Sequence, residues 1–231
     1  MSRNKLEKFA ENETFFNFFN PDYQSIKNLD FHLKGNWQKE FFKNNNPIVL
    51  ELGCGKGEYT INLAEKYPDK NFIGIDRKGA RMWKGCKYSI EKEMKNVAFI
   101  RTQIAYIAQC FDKEEVSEIW LTFPDPQPKR TKANKRLTSP LYLDFYKKII
   151  QANGNIHLKT DDKSLFEYTL EVINDFQYKV IDSKSDIYAL EKIDENLLIE
   201  TYYEKKWKEQ GHKIYYVKFQ LNSEQVKMDK R

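Results

Sequence analysis

From Pro47 onward, short apolar runs alternate with longer stretches in which apolar residues recur at helical spacing. That alternation is the pattern of successive βα units wound around a parallel sheet. It predicts strands at about 48 to 52, 71 to 76, 97 to 101, 117 to 123 and 155 to 160. Helices are expected over roughly 57 to 67, 79 to 95, 139 to 152 and 162 to 175. A strand near 177 to 183, a helical segment ending before Gly211 and a strand near 213 to 221 follow, the two strands forming the far edge of the sheet. No internal repeat or low-complexity linker divides the chain, so one α/β domain is expected over 47–222, with an extension at 1–46 and a tail at 223–231.

The extension lacks a clear strand pattern and clusters Phe15, Phe16, Phe18 and Phe19. Two uses fit such a cluster: packing on the main body, or a lid over a ligand. The chain has 231 residues, 40% hydrophobic and 32% charged, enough for a core without disulfides or metals. Cys54, Cys86 and Cys110 are odd in number and widely spaced, so reduced thiols are expected and no metal site is indicated. No apolar signal stretch follows Met1 and no run approaches membrane-spanning length, which reads as cytoplasmic. A net charge of +5 is only mildly basic, so where the cations lie matters more than their sum.

Candidate chemistry begins where the run Ile48-Val49-Leu50-Glu51-Leu52 empties into Gly53-Cys54-Gly55-Lys56-Gly57. Glycines at alternate positions let backbone approach a ligand closely, although a tight turn alone would use them too. The spacing is not the Gly-x-Gly-x-x-Gly of dinucleotide sites, which disfavours a nicotinamide cofactor. Glu51 would repel a pyrophosphate but could accept bonds from an ammonium group. Asp76 ends the second run, 19 residues after Gly57, where an acid can accept both ribose hydroxyls of an adenosine. An amino-acid end, an adenosine and no phosphate describe S-adenosylmethionine. Glu51, the three glycines and Asp76 together resemble class I methyltransferase motifs. Gln103, just after the third run, is either a partner for the adenine or an ordinary exposed loop residue.

The fourth strand empties into Pro124-Asp125-Pro126-Gln127-Pro128-Lys129, whose three prolines stiffen the loop and hold Asp125. The Asn/Asp-Pro-Pro-aromatic loop of amino-directed nucleic acid methyltransferases is absent. Lys129, Arg130, Lys132, Lys135 and Arg136 follow without an intervening acid. Such a run is often only a solvated face. Leaving a ligand-side loop, it is assigned here to RNA phosphates.

The stretch from Phe123 to Lys129 with its basic run resembles the tRNA (guanine-N7)-methyltransferase family. The match continues through Leu158-Lys159-Thr160-Asp161 and Thr201-Tyr202-Tyr203-Glu204, so it spans 47 to about 215. The resemblance implies a Rossmann-like class I fold: a mostly parallel seven-stranded sheet with an antiparallel final strand and helices on both faces. It implies an S-adenosylmethionine site lined by Glu51, Gly53, Gly55, Gly57, Asp76, Gln103 and Asp125, with Asp125 catalytic. It places Lys129, Asp161, Thr201, Tyr202, Tyr203 and Glu204 against the substrate, and Arg130, Lys132, Lys135 and Arg136 against tRNA phosphates. The implied target is guanine N7 at position 46 of the tRNA variable loop; monomer and homodimer both stay open, and no obligate protein partner is expected. Two features depart from the family: Gln127 stands where many members have Trp, and the basic run lacks the usual histidines.

Some of these residues have structural readings of equal weight. Asp161 precedes a helical stretch and could be its N-cap, and Thr201 with Glu204 has capping-box spacing. Trp83, Trp120 and Trp207 read as core or half-buried packing. Two other functions stay open at this level: methylation of another RNA or base, and an RNA-binding module with a vestigial pocket.

Overall fold

The computed structural model describes residues 5–28 and 31–221. One eight-stranded sheet organises the chain, in the order β1-β4-β3-β2-β5-β6-β8-β7. Its strands are β1 (Phe18–Phe19), β2 (Ile48–Leu52), β3 (Asn71–Asp76), β4 (Val97–Arg101), β5 (Val116–Thr122), β6 (Ile150–Thr160), β7 (Lys179–Lys184) and β8 (Tyr215–Gln220). The helices are α1 (Lys5–Asn12), α2 (Tyr23–Lys27), α3 (Glu58–Lys66), α4 (Gly79–Glu91), α5 (Ile107–Cys110), α6 (Pro140–Lys147), α7 (Lys163–Asp175) and α8 (Tyr202–Glu209). Pairing is parallel from β1 to β6, and β8 runs antiparallel to both β6 and β7.

The near-continuous apolar runs of the central strands reflect cover on both faces. Leu50, Ile73, Ala98 and Ile119 point into one buried cluster, while Val49, Phe72, Phe99 and Trp120 alternate into the other. Glu51 takes its turn in that alternation and is therefore buried between strand and helix, 4% exposed. The chain lays down β2, β3 and β4 outward in one direction and then returns to place β5 on the other side of β2. That reversal opens a crevice at the carboxyl ends of β2 and β5, where ligands of such sheets bind.

Several expectations shift. Strand structure does occur before residue 47: Phe18 and Phe19 pair with Phe99 and Ile100, which makes the sheet eight-stranded rather than seven. Phe18 is buried and Phe19 packs edge-on to Trp37 and Phe41, but Phe16 is 64% exposed, so the cluster is split between core and surface. The helix expected to reach 95 stops at Glu91, two residues before Glu93 takes φ 52° in the left-handed region. The helix expected to reach 152 stops at Lys147, because β6 already starts at Ile150. Residues 1–4 and the tail expected at 223–231 lie outside the described residues. No helix among the described residues is long and apolar enough to cross a membrane. All three cysteines are free and buried.

Candidate functional site

A cavity of about 660 Å³ lies at the carboxyl ends of β2, β3, β4 and β5. Its floor is Glu51 with Gly53 and Gly55; Asp76 and Gln103 come from the ends of β3 and β4, and Thr122 to Gln127 from the end of β5. Asp161, Asp162, Thr201 and Trp207 close it from the side of β6 and α8.

The turn out of β2 sets alternate glycines in the left-handed region: Gly53 has φ 82° and Gly55 φ 58°, conformations that side chains rarely adopt. A Cβ at either would meet nothing within 4 Å, so backbone shape rather than crowding demands glycine there. Gly57 is different and does not line the cavity: a Cβ would stand 2.5 Å from Phe99 Cε1, so this glycine serves helix-to-sheet packing.

Glu51 takes donors from its own chain. Its Oε2 accepts bonds from the Thr60 amide and hydroxyl, and its Oε1 accepts one from Thr122 Oγ1 at 2.6 Å. Burial outweighs these donors and pushes its pKa up to about 7. Asp76 clasps the glycine turn, accepting from Gly55 N at 3.0 Å and from Lys78 N at 2.7 Å. Gln103 is exposed at the cavity edge and starts a 3₁₀ turn over Ile104–Tyr106.

The loop after β5 is held from both ends. Phe123 N donates to Lys159 O at 2.8 Å, and Phe123 and Gln127 both have left-handed φ, 48° and 46°. Asp125 Oδ1 accepts from Gln127 N at 3.1 Å, an Asx turn that orients an otherwise exposed carboxylate at the cavity. The basic run forms a 3₁₀ turn over Arg130–Lys135. Lys129, Arg130, Lys132 and Lys135 are exposed, and of these only Lys135 reaches the cavity wall.

Arg136, expected to meet phosphates, instead braces the proline loop. Its Nε donates to Pro126 O at 3.2 Å, its Nη2 to Gln127 O at 3.3 Å, and its guanidinium lies 4.2 Å from the Tyr168 ring centroid. The cap of α7 is Asp162, whose Oδ1 accepts from Leu165 N at 2.7 Å, not Asp161. Asp161 is left facing the cavity, half-buried, and burial pushes its pKa up.

Thr201 caps α8, its Oγ1 accepting from Glu204 N at 3.2 Å. Glu204 does not complete a capping box and does not line the cavity. It is fully buried against Lys159, with Nζ to Oε1 at 2.7 Å, and accepts a bond from Tyr188 Oη at 2.9 Å. Lys159 also donates to Leu197 O at 2.6 Å and to Ile199 O at 3.2 Å. Burial pushes the Lys159 pKa down and that of Glu204 up, each partly offset by the other. Nothing in the sequence marks this pair, whose members are 45 residues apart. The side chains of Tyr202 and Tyr203 lie outside the described residues. Trp120 is buried, stacked on His157 with ring centroids 3.9 Å apart, and Trp83 and Trp207 are half-buried.

The cavity also gathers cations that motif reading passed over: Lys56 in the glycine turn after β2, and Arg77, Lys78 and Arg81 after β3. The signal was available, since these cations leave a strand's carboxyl end just as the 129–136 run does.

A family model described as "Putative methyltransferase" matches residues 45–217. A tRNA (guanine-N(7)-)-methyltransferase of Bacteroides fragilis (strain YCH46) is 51% identical over 224 residues, covering 97% of this chain and 88% of the relative. One of the same name from Christiangramia forsetii (strain DSM 17595 / CGMCC 1.15422 / KT0803) is 48% identical, covering 95% of this chain and 99% of the relative. Among solved structures, the 16S rRNA methyltransferase KamB superposes with a TM-score of 0.63 over 80% of this chain and 92% of its own, at 12% identity. That likeness bears on the fold alone.

Proposed function

The chain belongs to the tRNA (guanine-N7)-methyltransferase family, and on that premise we propose that it methylates N7 of the guanosine at position 46 in the variable loop of tRNA, using S-adenosylmethionine. The observation that carries the reading is the convergence of Asp76, the bare Gly53 and Gly55 backbone and Asp125 on one cavity. These residues suit the methyl donor. Asp76 would offer its carboxylate to the ribose hydroxyls, the glycine turn would admit the amino-acid end, and Gln103 would serve the adenine. Glu51, beneath the turn, could face the donor's ammonium once ionised. When bound, S-adenosylmethionine supplies an electrophilic methyl group on a sulfonium sulfur.

Guanine N7 carries a lone pair and no proton at neutral pH, so this chain need not provide a general base. Its task is positioning. Asp125, fixed by its Asx turn and the Arg136 brace, stabilises the positive charge that builds on the purine. Guanine's Watson-Crick edge presents N–H donors, and Asp125 and Asp161, both at the cavity, are acids that can accept them. Glu204 acts one step back, anchoring α8 so that Thr201 stays at the wall. Arg130, Lys132 and Lys135 contact tRNA phosphates, with Lys129 at the start of that turn. Residues 47–222 form the catalytic unit, to which Phe18 and Phe19 of the extension are joined through β1, and cytoplasmic tRNA is the partner.

The position is tested with two tRNA transcripts that differ only by replacement of guanosine 46 with adenosine. Methyl incorporation should fall to background in the replaced transcript; equal incorporation in both would remove position 46 from the account.

A further inference from the structure

We propose that Arg77, Lys78 and Arg81 form a second phosphate-binding rim, so that the RNA backbone crosses the cavity mouth between two cationic edges. The inference rests on the tRNA methyltransferase reading and adds an interface to it. All three side chains are exposed and line the cavity from the β3 side, whereas the Arg130–Lys135 turn follows β5, on the other side of β2.

Charge neutralisation along α4 is uneven. Further along α4, Lys84 pairs with Glu58 of the cavity wall at 3.3 Å and Lys87 with Glu11 at 3.2 Å. At the mouth, Arg77, Lys78 and Arg81 have no ion-pair partner among the described residues, and the first turn of α4 contains no acid. Unpaired cations crowded at one edge repel each other, an arrangement that an anionic partner relieves.

The methyl donor does not call for them. S-adenosylmethionine carries one carboxylate against an ammonium and a sulfonium, so its net charge is positive and three cations exceed its need. A polyanion matches them. A nucleotide placed in the cavity has a phosphate on its 5′ side and another on its 3′ side, and two separated cationic rims meet both. The rim is also held in place before any partner arrives. Lys78 N is bonded to Asp76, Asn12 Nδ2 donates to Gly79 O at 2.8 Å, and Trp83 Nε1 donates to Glu11 at 2.7 Å, pinning α1 across α4. Such preorganisation lowers the ordering cost of each phosphate contact.

The test is equilibrium binding of an unmodified tRNA transcript to the full chain across a range of salt concentrations. The triple variant Arg77→Ala, Lys78→Ala, Arg81→Ala should bind at least ~10-fold more weakly, and its log-log salt slope should shrink by about 2 to 3, near one unit per lost contact. Its affinity for S-adenosylmethionine, read by calorimetry, should stay within about twofold of wild type. A control triple, Lys39→Ala, Lys43→Ala, Lys179→Ala, removes the same charge from the opposite ends of the strands and should keep the wild-type slope. If the first triple fails to fold, Arg81→Gln alone should still lose about one unit of slope. An unchanged slope, an equal loss in the control, or a matching loss of S-adenosylmethionine affinity would overturn the rim. A wild-type protein that binds no tRNA would instead overturn the tRNA reading, and the rim with it.

Discussion

Glu51→Gln should make the ligand-free protein more stable at alkaline pH, and the size of the effect can be worked from its surroundings. Burial raises the Glu51 pKa from 4.5 to about 7 despite three donors, so the folded chain holds a proton that the unfolded chain releases earlier. Wild-type stability therefore falls as pH rises from about 4.5, and the loss is complete once pH passes 7. The shift corresponds to about 3 kcal/mol at 1.36 kcal/mol per unit. Glutamine copies the protonated carboxyl. Its amide oxygen can face the Thr60 amide and hydroxyl, and its NH₂ can face Thr122, whose hydroxyl turns to accept. Thermal unfolding of both proteins from pH 4.5 to 8.5 should show nearly equal midpoints at the acid end. By pH 8.5 the variant should melt roughly 6 to 12 °C higher, the shift that about 3 kcal/mol produces in a chain of this length. Other titrating groups cancel in the difference. A difference that stays constant with pH would refute the burial argument.

Asp125→Ala should retain the melting temperature within about 2 °C, as expected for an exposed loop residue, while kcat falls about 10²-fold or more; wild-type turnover would remove its catalytic role. Lys132→Ala combined with Lys135→Ala should weaken tRNA binding and lower the salt slope by about 2, measured by filter binding at several salt concentrations. Lys159→Met should cost about 3 to 5 kcal/mol by leaving Glu204 buried without its partner. Adding Glu204→Leu should recover most of that loss in denaturant titration, and a further loss would show that the pair is not the main interaction at the site.

The fold was legible where burial writes a period into the chain. Leu50, Ile73, Ala98 and Ile119 on one face and Val49, Phe72, Phe99 and Trp120 on the other required runs of unbroken apolar residues, and those runs gave the central strands. The two-residue β1 was not legible, because its pairing depends on Phe99 and Ile100 and the surrounding phenylalanines have no period of their own. The cavity was legible through residues whose job is local: glycines with positive φ, an acid at the end of β3, an acid in a proline loop. Partnerships across the chain were hidden. Lys159 and Glu204 read as a motif lysine and a candidate substrate ligand until packing joined them, and Arg136 looked like one more cation of its run until it was placed on the carbonyls of Pro126 and Gln127. The helix cap was missed by one residue, because two adjacent acids are equal in sequence and only the geometry of Asp162 reaches Leu165 N.

The most direct test of the central claim is transfer of labelled methyl from S-adenosylmethionine to unmodified tRNA, with the modified nucleoside then identified. Label is expected in N7-methylguanosine with wild-type protein and almost none with Asp125→Ala. Label in any other nucleoside, or tight tRNA binding with no label, would contradict it.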